Sequence, residues 1–406
     1  MKAVMYGAGN IGRGFIGEVL YKSGYTTTYI DVNEAVVKAL NKDKKYPIYL
    51  TRSTGYSEEW VGNLNAIDGR NKEDVINAIA DTDLLCTALG VNILPFVAES
   101  LAKAIELRMK KSARPLNIMI CENMIGSNTY LHGLVEKYIS EENKDFFENN
   151  IGFVCVSVGR VVPPTPEQFL AKNSLAVCAD PYYEIPVDAK GFRPVGCEYP
   201  KINGLVPFSP FDFFIERKLL VHNMAHAMMA YVGRIKGYHF IYEISNDPEI
   251  KYFITRAMIE AGRALASRHG ASCDTVMQFV EDLMPRLENE LLIDSVERVG
   301  KDTKRKLGPN DRLAGSFKMV KEQGGVPAHI AIGIAAGLLF DVPDDAAAVE
   351  VSSCAKNLGV AAALEKYSDI TDKHDVQMIE TFYNMFKDKA SFAEFCKVLT
   401  NLKSTH

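Results

Sequence analysis

A glycine-rich turn near the start of the chain constrains its fold more than any other feature. Residues 2–6 predict a buried strand, and residues 11–23 predict a helix directly after the turn. A strand, a G-x-G-x-x-G turn and a helix in this order are typical of a dinucleotide-binding unit, because the glycines let the backbone approach a pyrophosphate at the helix N-terminus. The predicted cofactor-binding residues of the turn are Gly7, Ala8, Gly9, Asn10, Ile11 and Gly12.

An acidic residue ends the second predicted strand, residues 26–31. Asp31 follows Gly12 at the spacing of about 20 residues that a dinucleotide-binding unit needs. A carboxylate at this point accepts hydrogen bonds from the adenosine ribose and repels a 2′-phosphate, so the predicted cofactor is NAD rather than NADP. Thr87, at the end of a later strand, either lines the same cleft and binds the cofactor or belongs to an ordinary strand-to-loop connection.

Strands and helices alternate along the first half of the chain. A helix is predicted over residues 97–110, and residues 160–210, rich in Pro, Gly and Tyr, are expected to add strands and a connection. This alternation of strands and helices implies a parallel sheet with right-handed crossovers. We therefore expect an α/β Rossmann domain with a mainly parallel sheet over residues 1–200. Its further strands are predicted at residues 83–87, 116–121 and 152–158.

Long helical patterns dominate the second half. We expect a mostly α-helical substrate and catalytic domain over residues 201–406. The apolar run at residues 329–340 is shorter than the roughly 18 residues of a membrane span and predicts a buried helix. The predicted helices cover residues 211–234, 248–269, 273–291, 310–323, 327–340, 344–366 and 373–400.

Composition narrows the class of protein. The 406 residues are 47% apolar and 24% charged, with a formal net charge of −5. This balance is typical of a globular protein and gives no reason to expect a nucleic-acid or membrane partner. The eight cysteines are scattered without a CxxC pair, which predicts reduced thiols in a cytoplasmic protein and no metal site. A monomer and a homodimer are both compatible with the sequence.

The helix predicted over residues 211–234 is apolar on most sides but carries a polar stripe. At about 100° per residue the stripe covers an arc of roughly 160°. It is either a solvated face or the lining of a cleft. In a partly dry cleft a lysine loses its charge more readily and can act as a general base, while Asn and His can hold an alkoxide or carbonyl oxygen. The stripe comprises Asp212, Glu216, Lys218, His222, Asn223 and His226.

Lys218-x4-Asn223-x2-His226 resembles the active-site motif of the polyol-specific long-chain dehydrogenases. That resemblance implies a metal-independent, NAD-linked enzyme with an N-terminal Rossmann domain and a largely helical C-terminal domain. The matching blocks are spread over about residues 1–315. Besides the motif they are the opening KAVMYGAGNIGRGFIG and the segments at residues 121–124, 160–164, 216–219, 296–300, 305–307 and 311–313.

The resemblance also implies roles for individual residues. Lys218 would be the general acid/base, and Asn223 and His226 would polarise and orient the reacting oxygen. Asn123 would lie beside the nicotinamide and a substrate hydroxyl. The family usually has Asp before the Arg of a VDR-I-x-P segment, but Gly159 precedes the Arg here. A carboxylate that could hold the polyol is therefore absent, which leaves the exact substrate open.

A dense run of basic residues lies between positions 298 and 312 of this acidic protein. It is either a solvated charge run or a site for a substrate phosphate, and the resemblance favours phosphate. Arginine can grip a phosphate with two parallel hydrogen bonds, whereas lysine cannot. The candidate phosphate ligands are therefore Arg298, Arg305 and Arg312.

The resemblance implies the reversible oxidation of a sugar-alcohol phosphate to a ketose phosphate, mannitol 1-phosphate to fructose 6-phosphate, with NAD as hydride acceptor. Two alternatives stay within the family: a hexuronate reductase acting on tagaturonate or fructuronate, and a dehydrogenase of unphosphorylated polyols. A third, from another class, is a non-catalytic protein that senses NAD.

Overall fold

The computed structural model describes residues 1–52 and 54–404, and the chain divides into two compact units. The first unit ends at Phe214 and the second begins at Ile215. Among the described residues, no helix combines the length and the apolar character that a membrane crossing requires.

The strands all lie in the first unit. Those at residues 2–6 and 26–31 have the predicted bounds, and the predicted strands at 83–87, 116–121 and 152–158 are confirmed with ends shifted by one to three residues. In the described part of the chain the strands are β1 (Lys2–Tyr6), β2 (Thr26–Asp31), β3 (Tyr46–Arg52), β4 (Gly55–Val61), β5 (Leu64–Asp68), β6 (Leu84–Thr87), β7 (Leu116–Ile120), β8 (Ile151–Cys155), β9 (Val177–Ala179), β10 (Ile185–Asp188) and β11 (Leu205–Phe208).

Six strands form one parallel sheet in the order β5-β2-β1-β6-β7-β8. The chain moves outward from β1 through β2 to β5 on one side, and then crosses to β6 on the other side of β1. A sheet of this order has its topological switch point between β1 and β6, where a crevice forms outside the carboxyl ends of the strands. The predicted Rossmann domain is therefore confirmed.

Helices cover both faces of this sheet. One face buries Phe15, Ile16 and Leu40, and the other buries Leu101 and Leu131, so the strands between them are apolar on both sides. A π-helical segment, Gly12–Gly17, precedes the first helix. The α-helices are α1 (Glu18–Lys22), α2 (Glu34–Asp43), α3 (Lys72–Asp81), α4 (Leu94–Lys111), α5 (Ser127–Glu136), α6 (Lys144–Asn150) and α7 (Glu167–Leu170), with short 3₁₀ turns at Val91–Ile93, Glu141–Asn143 and Ala189–Gly191.

The remaining strands form two small sheets. Strands β3 and β4 are an antiparallel hairpin, and β9 adds to β3 in parallel. Strands β10 and β11 pair in parallel, and their segment joins the rim of the main sheet through a bridge between Val156 and Val187. The expected extra strands within residues 160–210 are thus present.

The second unit is helical in its described residues. The helical segment that starts at Asp212 continues through a π-helical turn, Arg217–His222, and ends at Lys236. From Asp212 onward the α-helices of the described residues are α8 (Asp212–Glu216), α9 (Asn223–Lys236), α10 (Ile241–Ser245), α11 (Pro248–His269), α12 (Cys273–Leu287), α13 (Val296–Gly300), α14 (Thr303–Lys306), α15 (Ala314–Glu322), α16 (Ala328–Leu338), α17 (Ala346–Leu358), α18 (Val360–Ser368), α19 (Lys373–Lys387) and α20 (Phe392–Ser404).

Helix α16 is the centre of the second unit. Every one of its residues is buried, and it packs against α9, α11 and α19. Two predictions of a single continuous helix were wrong, because each of these segments forms two helices. The one over residues 344–366 breaks at Gly359, where φ is 92°, and the one over 373–400 is interrupted between α19 and α20 around Lys389, which has a φ of 55°. The predicted helix over 310–323 begins only at Ala314.

Candidate active site

The glycine turn after β1 has the geometry that a dinucleotide phosphate requires. Gly7 adopts a φ of 105°, and a Cβ on it would collide with the carbonyl oxygen of Ala88. A Cβ on Gly12 would collide with the carbonyl oxygen of Gly7. Gly9 is exposed, and a Cβ on it would meet nothing within 4 Å in the described part of the chain. Open space therefore lies in front of a helix that begins at Asn10, whose first amide groups lack intrahelical partners.

Asp31, at the end of β2, holds this turn in place. Its Oδ2 accepts a hydrogen bond of 2.7 Å from the amide of Ala8, and its Oδ1 accepts one of 2.9 Å from the amide of Asn33. The carboxylate is only partly buried. A carboxylate has about four acceptor positions, so the two bonds leave lone pairs for a ribose hydroxyl. Asp31 thus fits the position predicted for it.

The other wall of the switch-point crevice is built from the loops after β6 and β7. Thr87 is fully buried, and its hydroxyl makes no hydrogen bond within the described residues. The amides of Leu89 and Gly90 donate hydrogen bonds of 2.9 and 2.8 Å to the two carboxylate oxygens of Glu122. Asn123 follows at once and is exposed at the rim of the sheet. Glu122 was not a predicted site residue, although it lies in the block at residues 121–124.

A tyrosine ring fills the space beside Gly159, where the family usually has Asp. A Cβ on Gly159 would lie 2.7 Å from Cε1 of Tyr182. The hydroxyl of Tyr182 in turn donates a hydrogen bond of 3.2 Å to Glu184. The next residue, Arg160, is buried, forms an ion pair with the buried Glu18 and donates to the carbonyl oxygen of Tyr182 at 2.6 Å. Arg160 therefore holds the aromatic residue against the glycine.

In the second unit, the π-helical turn brings Lys218 and Asn223 together. The amide of Asn223 donates its hydrogen bond to the carbonyl oxygen of Lys218, five residues earlier. Residues five apart lie above one another in such a turn, and turns of this kind are frequent at functional sites. The assumption of 100° per residue along the whole helix was therefore wrong for residues 217–222. His226 follows Asn223 by three residues in regular α-helix and lies on the same face.

A buried carboxylate orients His226. Its Nε2 lies 3.3 Å from Oδ2 of Asp294, which is 4% exposed. Arg298 donates two hydrogen bonds of 2.6 Å to the same carboxylate. Burial raises the pKa of Asp294, but the hydrogen bonds and charges of His226 and Arg298 outweigh it and hold that pKa below its usual value. Asp294 was missed at the sequence level because it is distant in sequence from the helical motif.

Positive charge gathers around the buried ring of His222. Burial is the main cause that holds the pKa of His222 well below its usual value, and nearby basic groups add to it. His222 is therefore neutral at neutral pH. The basic groups that act on it are Arg286, His226, Lys218 and Arg312.

The three arginines predicted to bind phosphate differ in their surroundings. Arg298 is half-exposed and holds Asp294. Arg305, also half-exposed, binds Asp302 at 2.5 Å and Asp311 at 3.0 Å. Arg312 is buried and shares the carboxylate of Asp311 at 2.8 Å. Of the three, Arg312 is the one whose charge acts on the buried histidine of the motif helix.

Lys306 lies beside this pair of arginines. It is 6% exposed, and its Nζ donates to the carbonyl oxygen of Val299 at 2.5 Å. Burial, followed by the charges of Arg312 and Arg305, lowers the pKa of Lys306 to about 7. The cluster therefore has an excess of positive charge that an anion would neutralise.

The fold and these side chains define a class of protein: a two-domain dehydrogenase with a Rossmann-type unit and a helical unit that carries the Lys-Asn-His face. Residues 1–198 match the mannitol dehydrogenase Rossmann domain, and residues 211–401 match the mannitol dehydrogenase C-terminal domain. The chain belongs to the mannitol dehydrogenase family. The resemblance seen in the sequence motifs is thus confirmed.

Relatives within the family cover nearly the whole chain. A mannitol-1-phosphate 5-dehydrogenase of Anoxybacillus flavithermus (strain DSM 21510 / WK1) is 36% identical over 378 residues, which cover 93% of this chain and 97% of that protein. A mannitol-1-phosphate 5-dehydrogenase of Bacillus subtilis (strain 168) is 35% identical over 380 residues, covering 93% and 98% of the two chains.

Solved structures share the fold at low sequence identity. The ternary complex of Pseudomonas fluorescens mannitol 2-dehydrogenase with NAD and D-mannitol has a TM-score of 0.73 at 15% identity, covering 100% of this chain and 94% of that one. D-sorbitol dehydrogenase in a substrate-free form has a TM-score of 0.77 at 14% identity, with 96% and 94% of the chains covered. Both similarities show that the two-domain architecture is shared.

Proposed function

We propose that this chain is an NAD-dependent dehydrogenase that interconverts a sugar-alcohol phosphate and a ketose phosphate, with mannitol 1-phosphate and fructose 6-phosphate as the pair. Its relatives at 36% and 35% identity bear the name mannitol-1-phosphate 5-dehydrogenase over nearly their whole length. The proposal depends most on the main-chain hydrogen bond of the π-helical turn between Asn223 and Lys218. This bond aligns the two residues on the helix face that also carries His226.

The residues of the first unit fit NAD. The open space in front of Gly9 and the exposed amides of the first helical turn suit a pyrophosphate, and Asp31 suits a ribose diol without a 2′-phosphate. We assign Asn123, exposed after β7, to the nicotinamide side of this site and to a substrate hydroxyl. When bound, NAD supplies the hydride acceptor.

The second unit supplies proton transfer and oxygen binding. In the oxidation direction the neutral amine of Lys218 takes the hydroxyl proton while the carbon–hydrogen bond of the carbinol breaks. The amide of Asn223 donates a hydrogen bond to the developing alkoxide. The ring of His226, held through Nε2 by Asp294, orients the reacting oxygen. In the reduction direction Lys218 returns the proton, and the buried carboxylate of Asp294 keeps the ring of His226 in position.

The substrate phosphate is assigned to the neighbourhood of Arg312. Arg312 is buried beside Lys306, and its charge acts on His222 of the motif helix. A phosphate dianion there would favour the protonated form of Lys306, whose pKa is lowered to about 7 by burial first and then by the charges of Arg312 and Arg305. Arg298 and Arg305 are not assigned to the phosphate itself, because both are half-exposed, whereas Arg312 is buried.

The test is the substitution Lys218→Ala, followed by NADH absorbance with mannitol 1-phosphate. We expect kcat to fall by about 10²–10⁴-fold, because a general base contributes on that order, while NADH affinity stays unchanged. Lys236→Ala is the matched control, since Lys236 is an exposed lysine at the end of the same helical segment. Normal turnover in the Lys218 variant would show that the proton acceptor lies elsewhere.

A dehydrogenase of unphosphorylated polyols is the second candidate. Gly159, covered by the ring of Tyr182, provides no carboxylate to hold a polyol hydroxyl, so it leaves the choice between the candidates to a direct comparison of substrates. Comparing kcat/KM on mannitol 1-phosphate, mannitol, tagaturonate and fructuronate separates the candidates. A preference of less than about tenfold for the phosphorylated substrate, or about 1.4 kcal/mol, would exclude a productive phosphate site. A protein that binds NADH and turns over none of these compounds would be a sensor.

A further inference from the structure

A cavity of about 380 Å³ lies in the second unit, apart from the residues of the proposed mechanism. One wall is a stripe along helix α11, and the other is the end of α15 with the turn that leads to α16. Its volume is within the range of small-molecule sites, about 300–1,000 Å³. The polar residues that line it are Arg256, Glu260, Arg263, Ser267 and Gln323.

The two arginines of the cavity lie on α11 near Glu260, but in the described part of the chain neither forms an ion pair with it. Arg256 and Arg263 are about two helical turns apart on one face of α11, and Glu260 lies between them at the spacing of a helical ion pair with either. Its carboxylate is bound instead to His329, through the amide at 3.0 Å and Nδ1 at 2.5 Å. A further bond of 3.3 Å comes from the amide of Ile330.

Glu260 thus accepts hydrogen bonds from the N-terminus of α16, where a negative charge is favourable, and not from the two arginines. Among the residues that the structure describes, neither Arg256 nor Arg263 has a carboxylate within ion-pair distance. The Nε of Arg256 is buried and makes no hydrogen bond to any described atom. A buried charged donor without an acceptor is costly, so an acceptor that enters the cavity would stabilise the Nε of Arg256.

The far end of the cavity offers a further donor and an apolar surface. The hydroxyl of Ser267 donates a hydrogen bond of 2.8 Å to the side-chain oxygen of Gln323, which fixes that amide so that its nitrogen remains a donor. The carbon part of a ligand would meet aliphatic side chains there. These are Ile259, Ala264, Val320 and Val326.

We propose that this cavity binds a small phosphate monoester, with the phosphate between the guanidinium groups of Arg256 and Arg263 and the carbon part against the aliphatic wall. Guanidinium groups match phosphate oxygens with paired hydrogen bonds, and a cavity volume of about 380 Å³ exceeds what inorganic phosphate alone would fill. The site is separate from the phosphate site assigned to Arg312, and it binds its ligand without chemistry.

The test counts phosphate sites by calorimetric titration in phosphate-free buffer. Glycerol 3-phosphate and inorganic phosphate are titrated into the wild type and into the double variant Arg256→Gln/Arg263→Gln. The control is Lys356→Gln/Lys373→Gln, which removes two positive charges from exposed positions of the same unit. Circular dichroism and the ligand-free Tm show that each variant is folded.

We expect glycerol 3-phosphate to bind the cavity at least about tenfold more weakly in the arginine variant than in the wild type, as for a lost charged hydrogen bond. At concentrations that fill the wild-type site, the arginine variant therefore shows one site fewer. If the proposed function holds, the count falls from two sites to one; if that function fails, it falls from one to none. Equal counts in the wild type and the arginine variant would overturn the site. Inorganic phosphate bound as tightly as glycerol 3-phosphate would overturn its assignment to a monoester.

Discussion

Glu122 is expected to hold the loop after β6 in the shape that the cofactor needs, and Glu122→Gln tests this. The carboxylate accepts two main-chain hydrogen bonds, of 2.9 and 2.8 Å, from Leu89 and Gly90. A glutamine of the same shape can accept only one, because its second group is a donor that would face an N–H donor. One bond is lost and one donor–donor contact is created.

The size of the effect follows from the burial of the partners. A hydrogen bond to a charged group is worth about 1.5–3 kcal/mol. Gly90 is exposed and water can replace part of its bond, so we take the low end, about 1.5 kcal/mol. For a unit of this size, 1 kcal/mol shifts Tm by about 2–4 °C, which gives a loss of about 3–6 °C for the first unit.

The assay combines thermal unfolding with NADH titration by fluorescence. If the loop lines the cofactor crevice, the dissociation constant of NADH in Glu122→Gln rises by up to about tenfold. Glu141→Gln is the matched control, since Glu141 is exposed on a short helical turn of the same unit. A variant with wild-type Tm and wild-type NADH affinity would refute the idea that these two bonds shape the loop.

Three further predictions concern single positions. Because burial keeps His222 neutral in the folded state, the unfolded chain binds more protons than the folded chain below pH 6.5. The free energy of unfolding therefore falls by up to about 1.4 kcal/mol for each pH unit below that value. His222→Gln should remove this pH dependence, measured by denaturant titration at several pH values. Gly7→Ala should lower Tm more than Gly55→Ala, because both have positive φ but only the first Cβ would collide with backbone; equal losses would argue against the collision. Gly159→Ala should destabilise the first unit, and adding Tyr182→Ala should recover stability in a double-mutant cycle, whereas additive effects would show that the ring does not fill that space.

The sequence predicts the main sheet well because its strands follow simple rules. Strands buried on both faces are continuous apolar runs between turn residues, so β1 and β2 have the predicted bounds. Strands β3, β4 and β5 were not predicted. Pro47 lies inside β3, and a proline within an apolar run weakens the evidence for a strand. Strand β4 is half-exposed, and its pairing with β3 depends on partners that local patterns do not specify.

The candidate site, like the fold, could be predicted from the sequence only in part. Lys218, Asn223 and His226 lie close together in sequence, so their shared face can be inferred from spacing. The π-turn that aligns the first two cannot, because a sequence of ordinary helix formers does not show where one hydrogen bond changes from i→i+4 to i→i+5. The partnership of Asp294 with His226 depends on tertiary packing and leaves no trace in the local pattern.

The π-turn at Arg217–His222 also has a consequence for how this segment tolerates length changes. Such a turn accommodates one residue more than a regular helix, so deleting a single residue from it would leave an unbroken α-helix with α9 and its core contacts still in phase. Lys218 would then stand four residues before Asn223 and would keep its alignment with it, whereas the same deletion within regular helix would rotate the residues on its two sides by about 100° relative to each other. The loss of one codon is therefore tolerated at this turn but not in the regular helix that follows it.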